Sequence, residues 1–147
     1  RSAMTMGPGH GGVFDTLLTL ARWGLGGVAG DGRQFVSWIH AADFVRAINW
    51  LIAHDDVDGV VNLSSPNPLP YREFMAALRQ AANVRIGLPS PTWLLEIGTF
   101  FLRTESELVL KSRRVVPGRL LAHGFQFTFP TWPDAAIDLV RRAQIRR

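Results

Sequence analysis

Segments patterned as strands alternate with segments patterned as helices over residues 1–83. This alternation constrains the fold most, because strand–helix–strand units build a sheet with at least partly parallel pairing. Residues 2–6 read as a short strand running into a glycine-rich turn at 7–12. Residues 13–23 carry apolar side chains at a helical period, and 24–32 form a glycine-rich loop. The aromatic and β-branched run 35–40 reads as a strand, followed by a helix over 41–54. The stripe Phe44, Val45, Ala47, Ile48 and Leu51 is expected to be its buried face. A buried strand is expected at 59–64, ended by Pro66, Pro68 and Pro70, and a helix at 71–82.

Beyond residue 88 the pattern turns mainly helical. Thr92 is placed to cap an almost wholly apolar helix over 93–102, and a short helix follows through Lys111. Another helix begins at Pro117 and stops at Gly124. Phe125, Phe127 and Phe129 alternate, which predicts a strand over 125–129, and the last helix covers 133–143. The expected organisation is therefore α/β over residues 1–87, followed by a small, mainly helical domain over 88–147.

The chain has 147 residues, 47% of them hydrophobic, enough for a real core and too apolar for disorder. It has no cysteine, which excludes disulfides and thiolate metal sites and fits a cytoplasmic location. No uncharged apolar run reaches 18 residues, so no membrane span is expected. The first six residues do not read as a signal peptide, and the absence of an initial methionine predicts a processed or truncated chain. The net charge is +4, and fifteen of the sixteen basic residues are arginine. They are spread along the chain, apart from Arg141, Arg142, Arg146 and Arg147. Arginine-rich codon usage accounts for this better than a nucleic-acid partner, which would call for a clustered basic face.

Few residue patterns point to chemistry. Residues 7–12 have the G-x-G-x-x-G spacing of a dinucleotide loop. Pro8 removes a backbone donor, and no clear second strand with a ribose-binding acid follows about 20 residues on, so a plain glycine turn is the favoured reading. The four histidines are scattered and form no metal-ligand motif. Ser37, His40 and Asp43 sit three apart, a spacing that a strand, a strand end and a helix first turn explain without catalysis. Trp38 and His40 should share one face of their strand, to line a pocket or, more commonly, to pack in a core.

The segment Gly30-Asp31-Gly32-Arg33-Gln34-Phe35-Val36-Ser37-Trp38-Ile39-His40-Ala41-Ala42-Asp43 resembles a pattern of the epimerase-like extended short-chain dehydrogenase/reductases, relatives of nucleoside-diphosphate-sugar epimerases. Residues 61–68, 114–121 and 124–127 agree with the same family, and the resemblance covers nearly the whole chain. It implies the C-terminal half of a two-part enzyme: late Rossmann strands with a substrate-binding region, then a small C-terminal domain. The missing N-terminal Rossmann half would be this chain's partner and would bind NAD or NADP, with no cofactor expected on this fragment alone. The family's Tyr-x-x-x-Lys pair is absent, since Tyr71 is the sole tyrosine and position 75 is methionine. No catalytic residue is therefore assigned, and the fragment alone is expected to be inactive. The resemblance further implies that Arg33, Gln34, Trp38 and His40 face a substrate cleft, with Asn62 and Asn67 near its rim. Val36 stands where typical sugar-nucleotide epimerases carry an arginine that grips the diphosphate, so a sugar nucleotide is only one candidate among small-molecule substrates. The alternative function is a non-enzymatic protein-interaction module, and unpaired strand edges would allow a homodimer.

Overall fold

The computed structural model describes residues 1–28, 30–89 and 114–145. In chain order the elements are β1 (Met4–Met6), α1 (Val13–Arg22), β2 (Phe35–Val36), β3 (Trp38–His40), α2 (Ala41–Ile52), β4 (Leu69–Pro70), α3 (Tyr71–Ala81), α4 (Gly118–Ala122) and α5 (Trp132–Ile145). The apolar helix expected at 93–102, its Thr92 cap and the short helix through Lys111 lie outside the described residues.

The run expected as one strand at 35–40 is two. β3 pairs in parallel with β1, with Met4 opposite Trp38 and Met6 opposite His40. β2 pairs antiparallel with β4. The break falls at Ser37, whose Oγ accepts the Val115 N–H at 2.9 Å while its carbonyl accepts from Met4. Proline was expected to end pairing at 66–70, yet Leu69 and Pro70 form the short β4, which leads directly into α3. The strand expected at 59–64 reduces to one parallel bridge, Ser2 with Leu63. Val60 there is 59% exposed, and only the end of the segment, Leu63 and Ser64, is buried.

Apolar spacing explains the helices. α1 buries Phe14, Leu17, Leu18 and Ala21, and α3 buries Tyr71, Phe74, Met75 and Leu78, each a single helical face. α4 stops as expected at Gly124, whose φ of 83° is the left-handed conformation that glycine adopts freely. The Phe125 N–H then reaches back to the Leu120 carbonyl at 2.9 Å and Gly124 N–H to that of Leu121 at 3.1 Å, satisfying the helix's last acceptors. α3 ends in the same way at Asn83, with φ 57°.

Two apolar clusters flank β1 and β3. Met4, Met6 and Trp38 pack with α1, α3 and α5, where Trp132, Ala135, Ala136 and Leu139 are buried. Ile39 points the other way, to Ala47, Leu63, Leu120 and Phe125. Trp38 and Trp132 meet edge to face at 5.0 Å, and each is essentially fully buried. Burial of an indole is worth on the order of 5 kcal/mol before entropy is counted. Trp38 and His40 do share a face, and that face is covered by α5 and Phe129.

α2 follows the expected stripe in part: Phe44, Ala47 and Leu51 pack inward, but Val45 and Ile48 are exposed and Asp43 is buried. Asp43 sets this rotation: its carboxylate accepts the Thr128 N–H at 2.9 Å and the Phe129 N–H at 2.8 Å, and Arg46 Nη1 lies 2.8 Å away. The same contacts replace the strand expected at 125–129. Thr128 and Phe129 give their N–H groups to a side chain instead of a neighbouring strand.

Candidate functional site

Parallel β1 and β3 end side by side, and in open α/β sheets ligands bind outside the carboxyl ends of the strands. β1 runs there into the glycine-rich loop, and β3 into His40, the N-cap of α2. A depression of about 200 Å³ lies over the loop, lined by Thr5, Gly7, Gly9, His10 and Gly12 among others. His10 is exposed, with Nδ1 4.0 Å from the Asp15 carboxylate. It was not among the residues picked from sequence, because a lone histidine in a glycine turn carries no spacing signal.

The loop does not fit a dinucleotide pyrophosphate. Asp15 Oδ2 already accepts the Gly11 N–H at 3.1 Å, so a carboxylate occupies the helix start where a phosphate would need free donors. Among the described residues no group of three His, Asp or Glu side chains could hold a metal ion.

His40 is buried and held on both ring nitrogens. Its Nδ1 accepts the Ala42 N–H at 3.0 Å, Nε2 lies 3.1 Å from Asp138 Oδ2, and its ring stacks on Phe129 at 4.1 Å. Asp138 also accepts from Arg141 Nη2 at 3.0 Å and Arg142 Nε at 2.5 Å. Burial pulls the His40 pKa below its ordinary value, against the opposing hydrogen bond and charge of Asp138. Burial acts to raise Asp138, but the hydrogen bonds from Arg142 and Arg141 outweigh it and hold its carboxyl below the usual range. Ser37, His40 and Asp43 thus bond respectively to the Val115 N–H, to Asp138 and to the 128–129 backbone.

The other residues picked from sequence are dispersed. Arg33 is exposed at the start of β2, its N–H donating to Asp31 Oδ1 at 3.0 Å. Gln34 is half-buried, and its carbonyl accepts the Tyr71 N–H at 2.9 Å. Trp38 is enclosed, with Nε1 donating to the Asn67 carbonyl at 3.2 Å. Asn67 is exposed and donates from Nδ2 to the Pro130 carbonyl at 3.0 Å. Asn62 lines a cavity of about 240 Å³ with Arg1, Ser2, Ser37 and Val115, at the amino ends of β1 and β3, away from His40. Trp38 and Asn67 are therefore brought together, Arg33 and Gln34 adjoin the β2–β4 pair, and Asn62 stands apart.

Known proteins share this sequence and arrangement. A human epimerase family protein, SDR39U1, is 33% identical over 140 residues, which are 95% of this chain and 47% of that protein. Its crystal structure with NADPH superposes with a TM-score of 0.83 at 31% identity, covering 96% of this chain and 47% of that one. This chain is similar to a C-terminal portion of epimerase-family proteins. An epimerase family protein of Staphylococcus epidermidis is likewise 33% identical over 132 residues, 89% of this chain and 43% of that protein. A nucleoside-diphosphate sugar epimerase from Corynebacterium glutamicum matches at TM-score 0.66 and 25% identity, over 96% of this chain and 25% of that one. A domain of unknown function, DUF1731, matches residues 90–139. The chain spans about half the length of the curated relatives it matches. No helix among its described residues is long and apolar enough to cross a membrane.

Proposed function

We propose that this chain is the substrate-facing portion of a cytoplasmic NAD(P)-dependent epimerase-like oxidoreductase, whose dinucleotide is held by the other half of the whole protein. The observation that carries this reading is the close superposition on about half of an NADPH-bound relative, combined with a glycine loop already closed by Asp15. In this reading Arg33 contributes a positive charge for an anionic substrate and Gln34 a hydrogen-bonding amide. Trp38 and His40 support the cleft from beneath and Asn67 stands near its rim, while Asn62, at the amino ends of β1 and β3, falls outside it. A sugar nucleotide is one candidate substrate. The test is titration of NADPH into the chain, read by cofactor fluorescence, beside titration of uridine diphosphate read by amide NMR shifts. Silence towards NADPH with shifts centred on residues 30–36 supports the assignment. NADPH binding by the chain alone would move the cofactor site into it, and shifts absent from 30–36 would remove Arg33 and Gln34 from the substrate site.

One observation favours a second reading, a protein-interaction module. Val45, Ile48 and Ile52 are exposed on one side of α2, at 57%, 38% and 72%. Self-association through that face, giving a homodimer, would appear as a concentration-dependent mass in sedimentation that Val45→Glu abolishes.

A further inference from the structure

We propose that His40 and Asp138 form an acid-sensitive latch that holds α5 against the β3–α2 junction, closed while His40 is neutral and released when its imidazole gains a second proton. The hydrogen bonds fix the tautomer. Nδ1 receives the Ala42 N–H at 3.0 Å, so it carries no proton, and Nε2 must carry the one donated to Asp138 at 3.1 Å. A second proton has only Nδ1 to occupy. There it would face the Ala42 N–H, donor against donor, and the cap of α2 would be lost.

The surroundings give that proton little in return. The charged groups acting on the ring are Asp138 and Arg142 on α5 and Asp43 on α2, with Arg141 paired to Asp138 and Arg46 to Asp43. The Asp138 charge is already engaged by two guanidinium groups, and that of Asp43 by Arg46 and two backbone N–H groups. The ring is 2% exposed and covered by Phe129, so water cannot solvate an imidazolium without displacing the 125–142 segment. Since His40 binds its second proton more weakly folded than unfolded, stability is full above the unfolded value near 6.5 and falls as pH drops towards the lower folded value. The imidazole thus reports acid to α5, which covers Trp38.

The experiment is amide hydrogen exchange of α5 in this chain from pH 7.5 to 5, corrected for intrinsic rates, with imidazole nitrogen NMR to read the His40 tautomer. The expected result is a neutral Nε2–H ring at pH 7.5 and α5 protection that falls below pH 6.5, by at most about tenfold per pH unit. His40→Asn keeps an acceptor for Ala42 at the place of Nδ1, gives up the bond to Asp138 and does not titrate, so its α5 protection, though lower, should stay constant with pH. An Nδ1–H or doubly protonated ring at pH 7.5 overturns the latch, as does an equal pH-dependent loss of protection in His40→Asn. Should that variant fail to fold, the wild-type tautomer and protection profile decide the matter alone.

Discussion

Trp132 holds Phe74 twice: its Nε1 donates to the Phe74 carbonyl at 2.8 Å while its ring stacks on the Phe74 ring at 3.9 Å, 12° from parallel. One side chain therefore supplies both the apolar and the polar link between α5 and α3. Trp132→Phe keeps most of the stacking and loses the hydrogen bond, and we expect it to cost about 1 kcal/mol. Trp132→Ala should cost about 3–5 kcal/mol. Urea unfolding of the two variants measures the difference, and equal losses would mean that the hydrogen bond carries all of the link.

Asp43 is fully buried and serves three donors, two of them backbone N–H groups of the segment before α5. Asp43→Ala leaves those groups without their acceptor and should destabilise by about 3 kcal/mol, with Asp43→Asn intermediate because it retains one oxygen. Faster amide exchange at Thr128 and Phe129 in the alanine variant is the specific sign. Unchanged exchange there would show that the carboxylate is dispensable to the segment.

Tyr71 is the only tyrosine, so ultraviolet titration of phenolate reads it alone. Burial pushes its pKa up to about 12. The neutral form is favoured in the fold, so this contribution is intact below the unfolded value near 10 and is lost as pH rises towards 12. The expected observation is little phenolate at pH 10.5 in the native chain and most of it in urea. A native midpoint near 10 would mean that the α3 N-terminus opens to water.

Gly27 meets the Leu88 backbone so closely that a Cβ would lie 2.2 Å from the Leu88 carbonyl oxygen. The Gly27 N–H also donates to that oxygen at 3.0 Å. Gly27→Ala should cost about 1–3 kcal/mol by forcing the two backbones apart. Gly9→Ala, where a Cβ meets nothing within 4 Å, should be close to neutral. Thermal melts of both variants compare the sites directly.

What could be read from sequence follows the range of the interactions involved. Helices α1 and α3 were legible because their buried faces repeat within a few residues, and Gly124 was legible as a stop because its conformation is local. On α2 the stripe holds for Phe44, Ala47 and Leu51 and fails for Val45 and Ile48, because a buried carboxylate shares in orienting the helix. The spacing Asp43, Ala47, Trp50 would have marked the correct face had Asp43 been allowed inside. The alternating phenylalanines suggested a strand, yet their backbone is taken by Asp43, 85 positions away from Thr128. The same holds at the candidate site. His40 stood out by its motif, but nothing in the spacing pointed to Asp138, 98 residues later. Ser37 likewise gave no sign of Val115.

Those spans also have a kinetic meaning. The bonds of His40 to Asp138 and Asp43 to Thr128 each close a loop of more than 80 residues. Contacts between distant positions bring chain-closure entropy with them before they return any energy, whereas α1 with β1 and β3 with α2 can assemble from neighbouring stretches. We expect the docking of α5 to come after the folding barrier has been crossed, so that severing either bond leaves the refolding rate nearly unchanged and speeds unfolding. The polar clasp at the end of β3 would then govern how long the native state lasts more than how quickly it is reached.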